Sequence, residues 1–388
     1  MINIFVPFLP KNNFSYEGKF FKEIIIGLDE YSKEEINLFC IEFIRSPKVN
    51  FKFINVKFLK GEGRKIWINY YLPFKPTELG LNLINMFFFI YLLICKKIKI
   101  NKDSKILFLS LWRASFIYFF IRLINYKNIV IYELLGFPLE KNNSNRSFSI
   151  FVSKVFPIRK FISTSKFLQK KFKIKAKQKF LVPNITPNEY LVNYPKIFPK
   201  NFINIVWIGR LETIKRPLLA LEIYNYILKN INTKTKINLT IIGSGSLKQN
   251  VLKSINYINK QNPNSKINYF NYLSPKEIIL KLDESHILLH TSSHESYGMV
   301  YAEALSRNLN IITTSIGFLN DLDFKKKRSN IIFIDEIEDK KIINKAILGF
   351  KYLIRDISKG NKSRPNFNKI INKYSSKETV IKKLIDIL

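Results

Sequence analysis

The sequence predicts an α/β protein built as two doubly wound, parallel-sheet domains in tandem. Short apolar runs alternate with longer amphipathic segments, which is the pattern of strands covered by helices. The alternation pauses once, between Val182 and Phe202, and then restarts. A chain of 388 residues suffices for two such domains, each with its own core.

The elements follow in order. INIFVPF reads as a buried first strand, GKFFKEIIIGL as an amphipathic segment, and INLFCIEFI as the next apolar run. The longest apolar stretch, from Leu79 to Cys95, is broken by Gly80, Asn82 and Asn85. Its uninterrupted part is shorter than the ~18 to 20 residues of a bilayer span, so it is expected to be a buried helix. KILFLSL, a helix over Arg113 to Ile124, and NIVIYELLG continue the alternation. Four prolines and several asparagines in VPNITPNEYLVNYPKIFPKNF mark a linker. The second alternation runs INIVWIG, RPLLALEIYNYILKNI, INLTIIG, GSLKQNVLKSINYI, SKINYFNYL, PKEIILKLDES, HILLHTS and YGMVYAEALSR, strand and helix in turn. The expected divisions are residues 1–185, residues 186–372, and a closing helix over 373–388 that packs back towards the first domain. Ligand is expected where strand C-terminal ends face a cleft.

Composition narrows the classes of function. With 64 Lys plus Arg against 29 Asp plus Glu the net charge is +35, yet 47% of residues are hydrophobic, which excludes a disordered polycation. Cys40 and Cys95 lie in apolar runs and offer neither a disulfide framework nor a zinc pattern, which suits a reducing compartment. MINIFVPFLP lacks a basic n-region and a cleavage site, so a cytoplasmic protein is expected. The charge is uneven. Residues 1–50 hold six basic and seven acidic residues, whereas residues 151–200 hold twelve basic residues and only Glu189 against them. The segment from Lys166 to Lys179 could attract an anionic membrane surface, although a lysine run is more often a solvated loop. No nucleic-acid motif accompanies the charge, and no nucleic-acid partner is expected.

Three strand ends of the second domain carry the chemistry. Gly209-Arg210-Leu211 closes the first strand, and Lys215 follows shortly after. A fork-shaped cation and a mobile ammonium placed together suit a diphosphate. Gly243-Ser244-Gly245-Ser246 ends the next strand in a turn that admits a ligand close to backbone amides. In HTSSHESYGMVYAEALSR, Glu295 precedes Ser296, Tyr297, Gly298, Met299 and Val300, which open a helix whose amides point at any bound anion, and Glu303 lies within that helix. Two carboxylates and an amide crown are suited to the hydroxyls of sugar and ribose.

These motifs, in this order, resemble the retaining glycosyltransferases of family 4, the group 1 glycosyl transferases of GT-B fold. Weaker similarity extends to Ser163-Thr164-Ser165, Val182-Pro183-Asn184 and Tyr374-Ser375. The resemblance implies two Rossmann-like domains facing across a cleft and a nucleotide-diphosphate sugar held by the second. Carried over, Arg210 and Lys215 neutralise the diphosphate, Glu303 holds the ribose, and Glu295 with the following amides holds the sugar; Gly209, Gly243 and Gly245 let the donor approach. It implies hexosyl transfer to a lipid-linked or growing envelope glycan with retained anomeric configuration and no metal or other cofactor. Acceptor-side candidates in the first domain are Glu17, Gly18, Trp112, Arg113 and Glu133, at expected loops and strand ends.

The chain also departs from the family pattern. Its first strand-end loop contains only Gly18, its first domain has no histidine, and Arg216 stands where a glycine usually follows the motif lysine. His286, His290 and His294 fall in an apolar strand pattern and are expected in core or cleft packing rather than on a metal. A metal-dependent reading would rest on Asp321-Leu322-Asp323, away from the strong motifs. The competing readings are a non-catalytic basic polyanion-binding module, and a GT-B phosphorylase or epimerase that shares these residues.

Overall fold

The computed structural model describes residues 1–7, 19–44, 65–71, 77–96, 100–101, 103–111, 114–124, 126–134, 144–171, 174–192, 202–231, 235–322, 330–358 and 367–388. The chain divides into two compact units, one of Met1–Ile185 with Lys377–Leu388 and the other of Thr186–Ser376.

In the first unit the elements run β1 Ile2–Val6, α1 Lys19–Tyr31, β2 Ile36–Ile44, β3 Lys65–Tyr71, α2 Glu78–Ile94, β4 Lys105–Phe108, α3 Ser115–Leu123, β5 Ile129–Glu133, α4 Ser144–Val155, β6 Ile158–Ser163, α5 Lys166–Lys171 and β7 Ala176–Leu181. The second unit follows with β8 Phe202–Ile208, α6 Pro217–Asn230, β9 Lys236–Ile242, α7 Lys248–Gln261, β10 Ile267–Phe270, α8 Pro275–Glu284, β11 Ile287–His290, α9 Met299–Ser306, β12 Asn310–Thr314, β13 Ile331–Ile334, α10 Asp339–Ser358 and α11 Phe367–Ser375. The last helix, α12 Lys377–Ile387, returns to the first unit.

Both sheets are parallel, ordered β3-β2-β1-β4-β5-β6-β7 and β10-β9-β8-β11-β12-β13. In each, the order reverses beside the first strand, between β1 and β4 and between β8 and β11, which is where doubly wound folds bind ligands. A parallel sheet is covered on both faces, so its strands are apolar on both sides. In β1 the side chains of Ile2, Ile4 and Val6 join Phe21, Ile24 and Leu28 of α1 and Val380, Ile381 and Leu384 of α12. Phe5 points the other way, into a core with Phe89 of α2, Ile117 of α3 and Val152 of α4. The second unit repeats this, with Ile205 and Trp207 packed under α6 and α10 and Val206 in the core that holds α9 and α11.

Helix starts follow their signals. Pro217 and Pro275 occupy first turns, and Ser274 with Glu277 forms a reciprocal capping box at α8.

Three expectations need correction. The segment from Leu79 to Cys95 is a helix but buries only one side, because the sheet covers only half of its circumference; Phe87, Tyr91 and Ile94 are exposed. The lysine run is not a loop. Its described residues form α5 and the edge strand β7, where Lys177 and Lys179 are exposed; lysines on an edge strand oppose sheet-to-sheet pairing. The helix expected from Arg113 begins at Ser115, and Arg113 lies outside the described residues, as do Glu17, Gly18, Trp112, Lys173 and Asp323. No described helix is long and apolar enough to cross a membrane.

Candidate functional site

The site is built where the second sheet reverses. β8 lies between β9 and β11, so the loops after all three leave the same edge of the sheet. The loops after β8 and β9 are clamped together by backbone. Gly209 N–H donates to Ile242 O (3.1 Å), Leu211 N–H to Ser244 O (2.8 Å), and Leu247 N–H to Leu211 O (2.9 Å). Glu212 adds its carboxylate, accepting from the Ser246 amide (3.1 Å) and hydroxyl (2.7 Å), and these bonds hold its pKa below the usual value. Gly243 has φ +148°, and a Cβ there would lie 1.8 Å from Gly209 O. Only glycine satisfies both conditions.

The loop after β11 is fastened to the loop after β8 from the other side. Ser293 N–H donates to Ile214 O (2.8 Å), the Ser292 hydroxyl reaches the same carbonyl (3.1 Å), and the Thr291 hydroxyl donates to Arg216 O (2.8 Å). Arg216 itself takes the left-handed conformation, φ +48°. Its Nε donates to Thr291 O (2.8 Å) and its Nη1 to Asp339 (3.0 Å). The arginine that replaces the expected glycine therefore braces two loops.

This zipper brings Lys215 against Glu295. The ammonium and the carboxylate form an ion pair, and the same carboxylate oxygen, Oε1, is 2.7 Å from His290 Nε2. An ionised carboxylate only accepts, so Nε2 carries the hydrogen. Nδ1 is buried without a hydrogen-bond partner among the described residues. Burial pushes the Glu295 carboxyl up, but His290 and Lys215 outweigh it and hold the pKa at about 2. Tyr301 packs edge-on against His290 with centroids 4.9 Å apart and bonds Thr313 (2.9 Å). Its phenol is pushed far above its ordinary value, first by burial and then by the Glu295 charge.

Gly298, at φ +87°, ends this loop, and α9 starts at Met299 rather than at Ser296. The amides of Met299 and Val300 reach no protein acceptor among the described residues, and they are the first-turn donors of α9. Tyr297 is buried and stacked on Phe318 (4.3 Å, 14°), which fixes the loop from behind. Glu303 is buried within α9, and Arg210 is exposed at the end of β8. The structure thus unites Lys215 with Glu295 directly and clamps Gly209, Gly243 and Gly245 by main chain. The sequence places His290 in core or cleft packing rather than on a metal, and its position five residues before a carboxylate is the signal for its contact with Glu295.

In the first unit, the reversal between β1 and β4 opens a small recess lined by Phe5, Val6, Pro7, Asn85, Ser110 and Ile117 among others. Ser110, at φ +136°, buries a hydroxyl with no hydrogen-bond partner among the described residues. Glu133, at the end of β5, is fully buried and accepts from Leu111 N–H (2.8 Å), which fixes the turn after β4. Among the described residues no cluster of His, Cys, Asp and Glu could hold a metal ion.

Residues 195–348, which lie within the second unit, match the family model described as glycosyl transferases group 1. A search of curated proteins by sequence returns no match. Solved structures similar over the whole chain include sucrose-phosphate synthase from Thermosynechococcus elongatus (12% identity, 100% of this chain and 98% of that one, TM-score 0.71). They also include the lipopolysaccharide outer core galactosyltransferase WaaB (15%, 100% and 98%, 0.67) and Anabaena HepE in complex with UDP (13%, 99% and 98%, 0.64). The fold is accordingly GT-B, two Rossmann-like units in one chain.

Proposed function

We propose that the chain is a retaining, nucleotide-sugar-dependent hexosyltransferase that acts on a lipid-linked or growing envelope glycan in the cytoplasm, peripheral to an anionic membrane. One observation carries the reading: within the segment that matches glycosyl transferases group 1, the ion pair of Lys215 with Glu295 stands on the loops of the sheet's reversal, next to the loop that ends in the open amides of α9.

In this reading the diphosphate meets Arg210, Lys215 and the first-turn amides, while Glu303 accepts from the ribose and Glu295 from the sugar. The barrier is departure of the diphosphate from an oxocarbenium-like carbon, so fixed positive potential at the leaving oxygen is the main contribution. Glu295 aims the ammonium, since a buried carboxylate held at about pKa 2 stays charged and keeps Lys215 in one place. The acceptor hydroxyl attacks from the face the leaving group vacates, without a protein nucleophile. UDP in the Anabaena structure supports uridine as the base. Because the cations already meet the diphosphate, activity is expected to survive dialysis against a chelator.

The test is a thermal-shift screen across nucleotide-diphosphate hexoses, since a ligand of the native state raises its melting temperature. One donor should stabilise wild type and fail with Glu303→Ala, and anomeric analysis of its product should show retention. No stabilisation by any donor would refute the reading.

A further inference from the structure

We infer that Tyr374 is a positioning residue of the donor site, acting through an aromatic column that holds the first amides of α9 and the Glu295 loop from behind. This rests on the proposed function only for what those amides bind, not for the column itself.

The start of α9 needs support from outside the helix. Its N-cap position is Gly298, which has no side chain to close on the first-turn amides. Gly298 stands at φ +87°, and a Cβ there would lie 2.4 Å from the ring of Tyr301, so the turn folds directly over that ring. What orients Met299 and Val300 is therefore the packing beneath the turn.

Phe318 provides that packing. Fully buried on the short helical turn after β12, it stacks on Tyr297, the residue before Gly298, and meets the Tyr301 ring at 6.3 Å and 59°. Its amide donates to Tyr297 O (3.0 Å). Gly317, at φ +72°, allows this close approach, since a Cβ there would lie 2.5 Å from the same carbonyl. One ring thus backs both sides of the turn. Through Tyr301, which packs edge-on against His290, it also stands behind the partner of Glu295.

Tyr374 in turn backs Phe318. The two rings stack with centroids 5.8 Å and planes 17° apart, so Tyr297, Phe318 and Tyr374 form one near-parallel column. Tyr374 is half-buried at the C-terminal end of α11, a helix that packs on α9. That end is itself fixed. The fully buried Ser375 has its hydroxyl 2.7 Å from that of Thr186, and its carbonyl accepts from Thr186 N–H (2.8 Å). Tyr374-Ser375 stands out in the sequence only as a weaker similarity, and the column gives the pair a use: the tyrosine is the stop and the serine its anchor. Ile371 of the same helix is buried in the same core without a ring to stack, and so separates packing from stacking.

The experiment compares the full chain with Tyr374→Leu, Tyr374→Phe and Ile371→Ala in two measurements. The first is hydrogen exchange, without ligand, of the Phe318 and Tyr301 amides, which donate to Tyr297 O and Gly298 O, relative to the amides of β9. The second is the Kd for UDP by calorimetry. Tyr374→Leu should speed exchange at both amides and weaken UDP binding, each by about 3- to 10-fold, the value of one aromatic pair. Tyr374→Phe keeps the ring and should match wild type in both. Ile371→Ala should lower the melting temperature without moving either readout. Equal effects of Tyr374→Leu and Ile371→Ala, a Tyr374→Phe variant that behaves like Tyr374→Leu, or faster exchange with an unchanged Kd would each overturn the proposal. If Tyr374→Leu melts too early to measure, Tyr374→Met keeps the bulk without a ring: weaker UDP binding and faster exchange support the column, and wild-type values overturn it. If wild type binds no UDP, the donor reading falls, and exchange alone decides whether Tyr374 holds the loop.

Discussion

Replacing His290 by Leu removes a donor from a buried carboxylate without adding a charge. The Glu295 pKa lies at about 2 against an ordinary 4.5, and a gap of that size corresponds to about 3 kcal/mol of stability at neutral pH. A hydrogen bond to a charged group contributes about 1.5 to 3 kcal/mol, so losing the 2.7 Å contact removes roughly 2 kcal/mol of it. In a unit of this size that lowers the melting temperature by about 4 to 8 °C. The folded pKa is depressed, so its contribution is full above about 4.5 and lost as pH falls towards 2. The gap between wild type and His290→Leu should therefore be full at pH 7 and shrink as pH drops below about 4. Trp207, buried in the same unit and donating to Thr291 (3.2 Å), provides the fluorescence signal. His290→Gln, whose amide can donate, should recover part of the loss. A pH-independent gap, or equal losses in the Gln and Leu variants, would refute the role of His290 as the group that holds Glu295.

Other expected outcomes follow from the same loops. Arg210→Ala or Lys215→Ala should lower turnover by on the order of 10²-fold, as loss of one electrostatic stabiliser does, in a steady-state transfer assay. Gly243→Ala should cost more than about 4 kcal/mol by urea denaturation, since its Cβ would meet Gly209 O at 1.8 Å in a left-handed backbone. Arg216→Ala should lose about 1 to 2 kcal/mol by the same measurement, because it keeps the left-handed cost and gives up the bond to Thr291 O. Arg216→Gly should regain about 1 kcal/mol of that.

Position in the sheet accounts for part of which strands could be recognised in the sequence. Central strands such as INIVWIG and HILLHTS are buried on both faces and show as apolar runs. Those that escaped recognition include the edge strands β3, β7 and β13 and the interior strands β6 and β12, whereas the edge strand β10 is recognisable as SKINYFNYL. One side of an edge strand meets water, so AKQKFL carries lysines that obscure the pattern. The site shows the same limit. Arg210, Lys215, Glu295 and the glycines stand out by type and spacing, but the pairing of Lys215 with Glu295 spans eighty positions and depends on β8 lying beside β11. Arg216 could be noticed only as an anomaly, because its use depends on the carbonyl of Thr291.

The first six strands of the first sheet follow the same order as the six of the second, so the fold provides two equivalent reversals, and side chains decide what each can hold. At β8 and β11 the loops present Arg210, Lys215 and open amides, all favourable to anions. At β1 and β4 the recess offers Phe5, Val6 and Ile117 with the hydroxyl of Ser110, and the nearby carboxylate of Glu133 is engaged with Leu111. A diphosphate should thus select the second reversal. In hydrogen exchange, added UDP should slow the amides of Met299 and Val300 and leave Val6 and Ser110 unchanged. Protection at the first reversal instead would mean that the charge of these loops does not direct the nucleotide, and the roles of Arg210 and Lys215 would fall with it.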